Sequence, residues 1–248
     1  KRIPIPIEIN AFWSKRGGNR GGRGLVLHKD VLYLATAISL IKYDLDLNKV
    51  GEINHKYLAG LHEIFVENDG IWVTSTSHDL IVKYDFDGNV LFEWWGSDCK
   101  VLQNLFSYQP RKLSINLKFD KDNYMKKYEN YAKQIRLHLN AIVSHNGHVY
   151  ALASKRKALI RISSLPEKII IQDDELESPH NTIIHNNSVI INSTANQCLK
   201  IYDLQTGENV KTINTLVYNK KSLEQFAKSG WQRGLAYIRD NIFLLGTS

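Results

Sequence analysis

Five stretches of the chain repeat one pattern of apolar and polar positions. They are RGLVLHKDVLYLAT (23–36), LHEIFVENDGIWVTSTS (61–77), LHLNAIVSHNGHVYALAS (137–154), SPHNTIIHNNSVIINST (178–194) and RGLAYIRDNIFLLGTS (233–248). Each opens on one or two polar residues. An apolar run, a turn rich in Asp, Asn and Gly, and a second apolar run ending in small residues then follow. This pattern predicts an antiparallel pair of short strands. A second pair follows in SLIKYDLDLNKVGEI (39–53), DLIVKYDFDGNVLFEW (79–94), QCLKIYDLQTGENVKTI (197–213) and, more weakly, KALIRISSLPEKIIIQ (157–172).

Arg23 and His62 are 39 residues apart, Asn140 and His180 40, and His180 and Arg233 53, while His62 to His138 spans 76 and contains an insertion. Four short strands on a period near 40 residues predict the blades of a propeller. The expectation is therefore one all-β domain over 1–248, a five-bladed β-propeller. Its last repeat ends after two strands. IPIPIEINAFW supplies a strand at about 3–9 that would close the ring and hide the open edges.

Two stretches break the period. In 96–134, Tyr124, Tyr128 and Tyr131 fall at helical spacing, and 217–229 reads as a short helix opened by Ser222. Both precede a strand opening, so they would lie over one mouth of the propeller, as lids or as decoration.

Composition narrows the class. With 43% hydrophobic and 23% charged residues the 248-residue chain suits a globular protein with a core, and no apolar run is long enough for a membrane helix. The net charge of +7 raises nucleic acid as a partner. The densest basic stretch, SKRGGNRGGRG (14–24), is short and runs directly into a strand. A solvated basic surface that attracts small anions is the expectation, with no specific nucleic-acid binding and no membrane. Cys99 and Cys198 lack the spacing of a metal or redox pair and read as reduced thiols of a cytoplasmic protein. The opening Lys1-Arg2-Ile3 has no Met, and the expectation is that a tag, a signal or a preceding domain of a longer chain has been removed.

Candidate chemistry sits at the strand openings, which in a propeller converge on the central channel. The set is Arg23, His62, Glu63, His138, Asn140, His180, Asn181 and Arg233. Three histidines, His62, His138 and His180, would hold one divalent transition metal (Zn, Mn or Fe) with a position open for substrate. Arg23 and Arg233 would clamp an anionic group, and Glu63 would serve as general base. Asn140, Asn181 and Trp231 would contact the substrate. The register leaves an alternative open. Aligning Asn146-Gly147 with Asp69-Gly70 sets Leu139 opposite His62 and leaves two histidines in the ring. His28, His55, His78, His145, His148 and His185 are expected at the surface, and Trp72 and Tyr150 in the core.

HEIFVENDGIWVTST, LHLNAIV, SPHNTIIHNNSVIINST and WQRGLAYIRDNIFLLGTS, in that order, resemble a family of uncharacterised bacterial proteins with a propeller-like domain of unknown function. The likeness spans roughly 60–248, less the insertions. It implies that His62, His138, Asn140, His180 and Arg233 stand at family motif positions. Glu63 and Asn181 depart from the pattern, and so does NTIIH. The resemblance implies a fold and a set of positions, and no activity.

Two functions follow as expectations. One is a metal-dependent lyase, hydrolase or isomerase acting on a small anionic substrate in the funnel. The other is a ligand-binding module for a sugar, peptide or acidic ligand without chemistry. A scaffold working through its rim is a third reading, because fold alone does not decide function.

Overall fold

The computed structural model describes residues 23–111, 134–215 and 232–247. The candidate strand at 3–9, the tyrosine repeat at 124–131, the segment 217–229 and Trp231 lie outside the described residues. The chain divides into two compact units, Lys1–Leu139 and Asn140–Ser248.

The predicted strand pairs are all present. The first sheet comprises β1 (Gly24–His28), β2 (Val31–Ala35), β3 (Leu40–Tyr43) and β4 (Lys49–Ile53). The second comprises β5 (Leu61–Glu67), β6 (Gly70–Ser75), β7 (Leu80–Tyr84) and β8 (Val90–Trp95). The third comprises β9 (Leu139–His145), β10 (His148–Ala153), β11 (Ala158–Arg161) and β12 (Lys168–Gln172). The fourth comprises β13 (Pro179–His185), β14 (Ser188–Ser193), β15 (Cys198–Asp203) and β16 (Asn209–Asn214). Each is an antiparallel meander with its strands in chain order, and β17 (Gln232–Arg239) pairs with β18 (Ile242–Thr247) in a two-stranded fifth.

The recurring Tyr-Asp pair explains the outer hairpins. Tyr43, Tyr84 and Tyr202 are buried. The Asp that follows turns the chain: Asp44 Oδ1 accepts the Asn48 N–H, Asp85 Oδ1 those of Asp87 and Asn89, and Asp203 Oδ1 those of Gln205 and Thr206. An Asx side chain thus takes the amides that the turn would leave unpaired. The third repeat has Ile162-Ser163 at this place, which is why its sequence signal is weaker.

Each unit has its own apolar core. Tyr33, Leu40, Leu61, Val73, Leu80 and Tyr84 lead one, and Ala141, Tyr150, Leu152, Leu159, Ile191 and Tyr202 the other. β6 is buried along its whole length, whereas β8 and β16 are exposed over most of theirs. Trp72 and Tyr150 are buried, as expected. Cys99 and Cys198 are buried. A short helix, Lys100–Phe106, lies in the described part of the first insertion.

Candidate functional site

The strand bounds settle which residues are equivalent. β5, β9 and β13 are each seven residues long, and His62, Asn140 and His180 are the second residue of each. Arg233 is second in β17, and Arg23 immediately precedes β1. Asn140, not His138 or Leu139, therefore matches His62. His138 matches Gly60 and Ser178, and all three share a left-handed backbone, with φ of 57°, 61° and 48°. Glycine adopts this conformation freely, but for His138 it carries a steric cost.

In the first unit, Arg23, His62 and His138 come together. The His62 and His138 ring centroids are 5.3 Å apart. His62 Nδ1 lies 3.0 Å from the Gly60 carbonyl and 2.8 Å from Thr76 Oγ1. The Thr76 hydroxyl donates to the Leu139 carbonyl, so it accepts from the ring. Both contacts require the proton on Nδ1, and the ring lone pair therefore sits on Nε2. Arg23 Nη1 is 2.9 Å from that nitrogen and 3.3 Å from the Leu61 carbonyl. Its 3.2 Å approach to Nδ1 cannot be a hydrogen bond, because Nδ1 is itself a donor. Thr74 Oγ1 accepts the Glu63 N–H at 2.8 Å and fixes the bulge after Leu61. Glu63 is half-buried.

A residue that sequence reasoning missed holds His138 in place. Asp79 follows the 3-10 turn Thr76–His78 in a left-handed conformation, φ 52°. Its fully buried carboxylate accepts the backbone N–H of Leu137 at 3.1 Å, of His138 at 2.9 Å, and also of Arg136. Arg111, whose side chain is equally buried, donates to the Ser77 carbonyl at 2.8 Å and lies 3.5 Å from Asp79. Burial pushes the Asp79 carboxyl up, and the three amides and Arg111 oppose that shift. The only sequence signal was a polar residue at the recurring place before each third strand. Its partners are 57 to 59 residues away.

His78 corrects one expectation. It is not at the surface but fully buried. Burial, aided by Arg111, pushes its pKa down to about 3, so it is neutral in the fold.

In the second unit the same frame recurs around His180. Its Nδ1 is 2.7 Å from the Ser178 carbonyl and 3.1 Å from Thr194 Oγ1, and Thr194 donates to the Gln232 carbonyl at 2.8 Å. Asn140 is buried. Its Nδ2 donates to the Pro179 carbonyl at 2.8 Å, and its Oδ1 has no hydrogen-bond partner among the described residues. Asn181, at φ 52°, accepts the Gly234 N–H at 2.8 Å. Arg233 is exposed. Asn192, opposite His180 in the β13–β14 ladder, is fully buried, and neither of its amide atoms has a partner among the described residues. It was not foreseen because it reads as one more strand residue.

The candidate ligands are therefore divided. His62 and His138 belong to the first unit and His180 to the second. Among the described residues no group of three or more His, Cys, Asp or Glu is placed to hold a metal ion. Arg23 Nη1 lies 2.9 Å and 3.2 Å from the two ring nitrogens of His62, which sets the guanidinium against the ring face.

No protein-family model matches the chain, nor does any curated sequence. Solved structures do. The chain is similar to virginiamycin B lyase from Staphylococcus aureus, with a TM-score of 0.55 and 13% identity over 91% of this chain and 62% of the lyase. It is similar to Myxococcus xanthus glutaminyl cyclase, with a TM-score of 0.53 and 11% identity over 90% of this chain and 83% of the cyclase. It is also similar to a protein of unknown function from Bacteroides caccae, with a TM-score of 0.54 and 8% identity over 88% and 68%. The chain thus spans less than two thirds of the length of the lyase. At these identities the likeness shows the fold alone, an all-β, propeller-like series of four-stranded sheets. No described helix is long and apolar enough to cross a membrane.

Proposed function

We propose that the protein is an acid–base enzyme, of the lyase kind, acting on a small anionic substrate at Arg23, His62 and His138. The observation that carries this reading is the pair of contacts from His62 Nδ1 to Gly60 and Thr76, which leaves the lone pair to Nε2, with the Arg23 guanidinium against the same ring. A neutral imidazole with a fixed tautomer is a ready general base near neutral pH. A guanidinium beside it binds a carboxylate or phosphate through paired hydrogen bonds. An anion bound by Arg23 would be held next to the base. His138 then supplies a second imidazole for the returning proton. Two distant structural neighbours, named a lyase and a cyclase, make an enzyme on this fold reasonable.

The test is a panel of carboxylate- and phosphate-bearing small molecules followed by NMR for elimination products. His62→Gln should lower kcat by about 10²- to 10⁴-fold, and Arg23→Gln should act mainly on KM. Turnover that survives in His62→Gln would remove the base from this scheme. Melting shifts without turnover, unchanged by chelator, would favour a binding module.

A divalent metal is the second reading, supported by the closeness of the His62 and His138 rings. Metal content of protein purified without tag or added metal tests it. Near one equivalent, lost in His62→Ala, would replace the base with a metal centre. A five-bladed closed ring belongs to the same proposal, and small-angle scattering of the full chain would test it.

A further inference from the structure

In the first three sheets the third strand carries a cation at one recurring position, opposite an aromatic residue on the second strand. The pairs are Tyr33 with Lys42, Trp72 with Lys83 and Tyr150 with Arg161. In the first sheet, Lys42 donates to the Phe86 carbonyl. In the second, Lys83 is neutralised twice, by Glu67 at 2.8 Å and Asp69 at 2.7 Å, which stand at the inner hairpin. In the third sheet those two places hold His145 and Gly147, read from the strand ends at Glu67/Gly70 and His145/His148. Arg161 keeps only neutral partners, Ser164 Oγ at 3.2 Å and the Tyr150 hydroxyl. Neither Arg161 nor Lys168 makes an ion pair among the described residues.

A groove of about 960 Å³ opens at this place. Its lining includes His145, His148, Arg161, Lys168 and, from the hairpin of the fourth sheet, Asn187, and no lining residue is acidic. The nearby Asp203 is held by its own turn and by Asn187 Nδ2 at 2.6 Å. Hydrogen-bond donors thus converge where the second sheet has two carboxylates.

We propose that this groove is an anion site for a phosphate-bearing small molecule, whose oxyanion takes the place that Glu67 and Asp69 fill in the second sheet. Arg161 offers the paired donors that suit a phosphate, and Lys168 adds a point charge. The site lies at the opposite ends of the inner strands from His180 and Asn140, so it is separate from the strand-opening residues.

The experiment is a titration of the full chain with inorganic phosphate and pyrophosphate at constant ionic strength, followed by ³¹P NMR. Pyrophosphate should bind more tightly than phosphate. Arg161→Gln should weaken both by about tenfold or more, Lys168→Gln by less, and Lys155→Gln not at all. His145→Glu restores the carboxylate of the second sheet, so it should abolish binding while raising Tm. Circular dichroism checks that each variant is folded. No response in the wild type overturns the proposal. So does an equal loss in Lys155→Gln and Arg161→Gln, which would indicate diffuse surface charge.

Discussion

His62 and His180 are set in the same frame and used in different company. Each ring donates from Nδ1 to the carbonyl two residues before it and to a Thr fourteen residues after it, and that Thr donates onward to a backbone carbonyl. The residues after the Thr differ. The first unit reads Thr-Ser-His-Asp (76–79) and the second Thr-Ala-Asn-Gln (194–197). His78 and Asp79 are fully buried, whereas Asn196 is exposed. The frame orients a histidine, and the buried Asp79 is what adds a second histidine beside the first.

The sharpest way to break this difference is to exchange the residues that carry it. Asp79→Gln leaves Arg111 buried without its carboxylate and replaces, on a longer side chain, two carboxylate oxygens that serve three amides with a single amide oxygen. Chemical denaturation should record a loss of about 3–5 kcal/mol. Gln197→Asp, at the half-exposed counterpart, should stay within about 0.5 kcal/mol. Equal effects at the two positions would refute the clamp.

The His78 prediction is a pH dependence. Its folded pKa of about 3 lies below the ordinary 6.5. The unfolded chain therefore takes up a proton as pH falls below about 6.5, and the folded one does not until near 3. Stability present above that window is lost through it, at about 1.4 kcal/mol per pH unit. His78→Asn, which installs the second unit's residue, should flatten the slope of stability against pH between 6 and 4. An unchanged slope would show that His78 is not the group responsible.

The smallest effects test what the two units share. Thr76→Val and Thr194→Val should each cost about 1 kcal/mol and shift the imidazole ¹⁵N resonances of His62 and His180 toward mixed tautomers. A change at one histidine only would mean that the frame is not one device used twice.

Much of this was legible in the sequence because it is local. The Asn- and Gly-rich turns and the Tyr-Asp pairs lie within a few residues of the contacts they make, so the four-stranded repeat could be read directly. Arg23, His62 and His180 stood out because a polar residue recurs at each strand opening. The register of His138 was not legible. The left-handed residue before the strand is Gly60 in one repeat, His138 in another and Ser178 in a third, and backbone conformation has no one-letter signature. Asp79 and His78 were missed because both look like loop residues. Their roles depend on Arg111 and on the amides of 136–138, which lie far along the chain.

What the sequence alone determined is the repeat: strand pairs on a period near 40 residues and polar residues at their openings. Period and polarity are properties of neighbouring residues, so they survive without coordinates. The tertiary structure decided which charges are compensated and which imidazole nitrogen carries the proton. It set Glu67 and Asp69 against Lys83 and left Arg161 to neutral partners. It also set the Arg23 guanidinium against the His62 ring. These outcomes depend on distances of a few ångströms between residues dozens of positions apart, and only the packed chain fixes those distances.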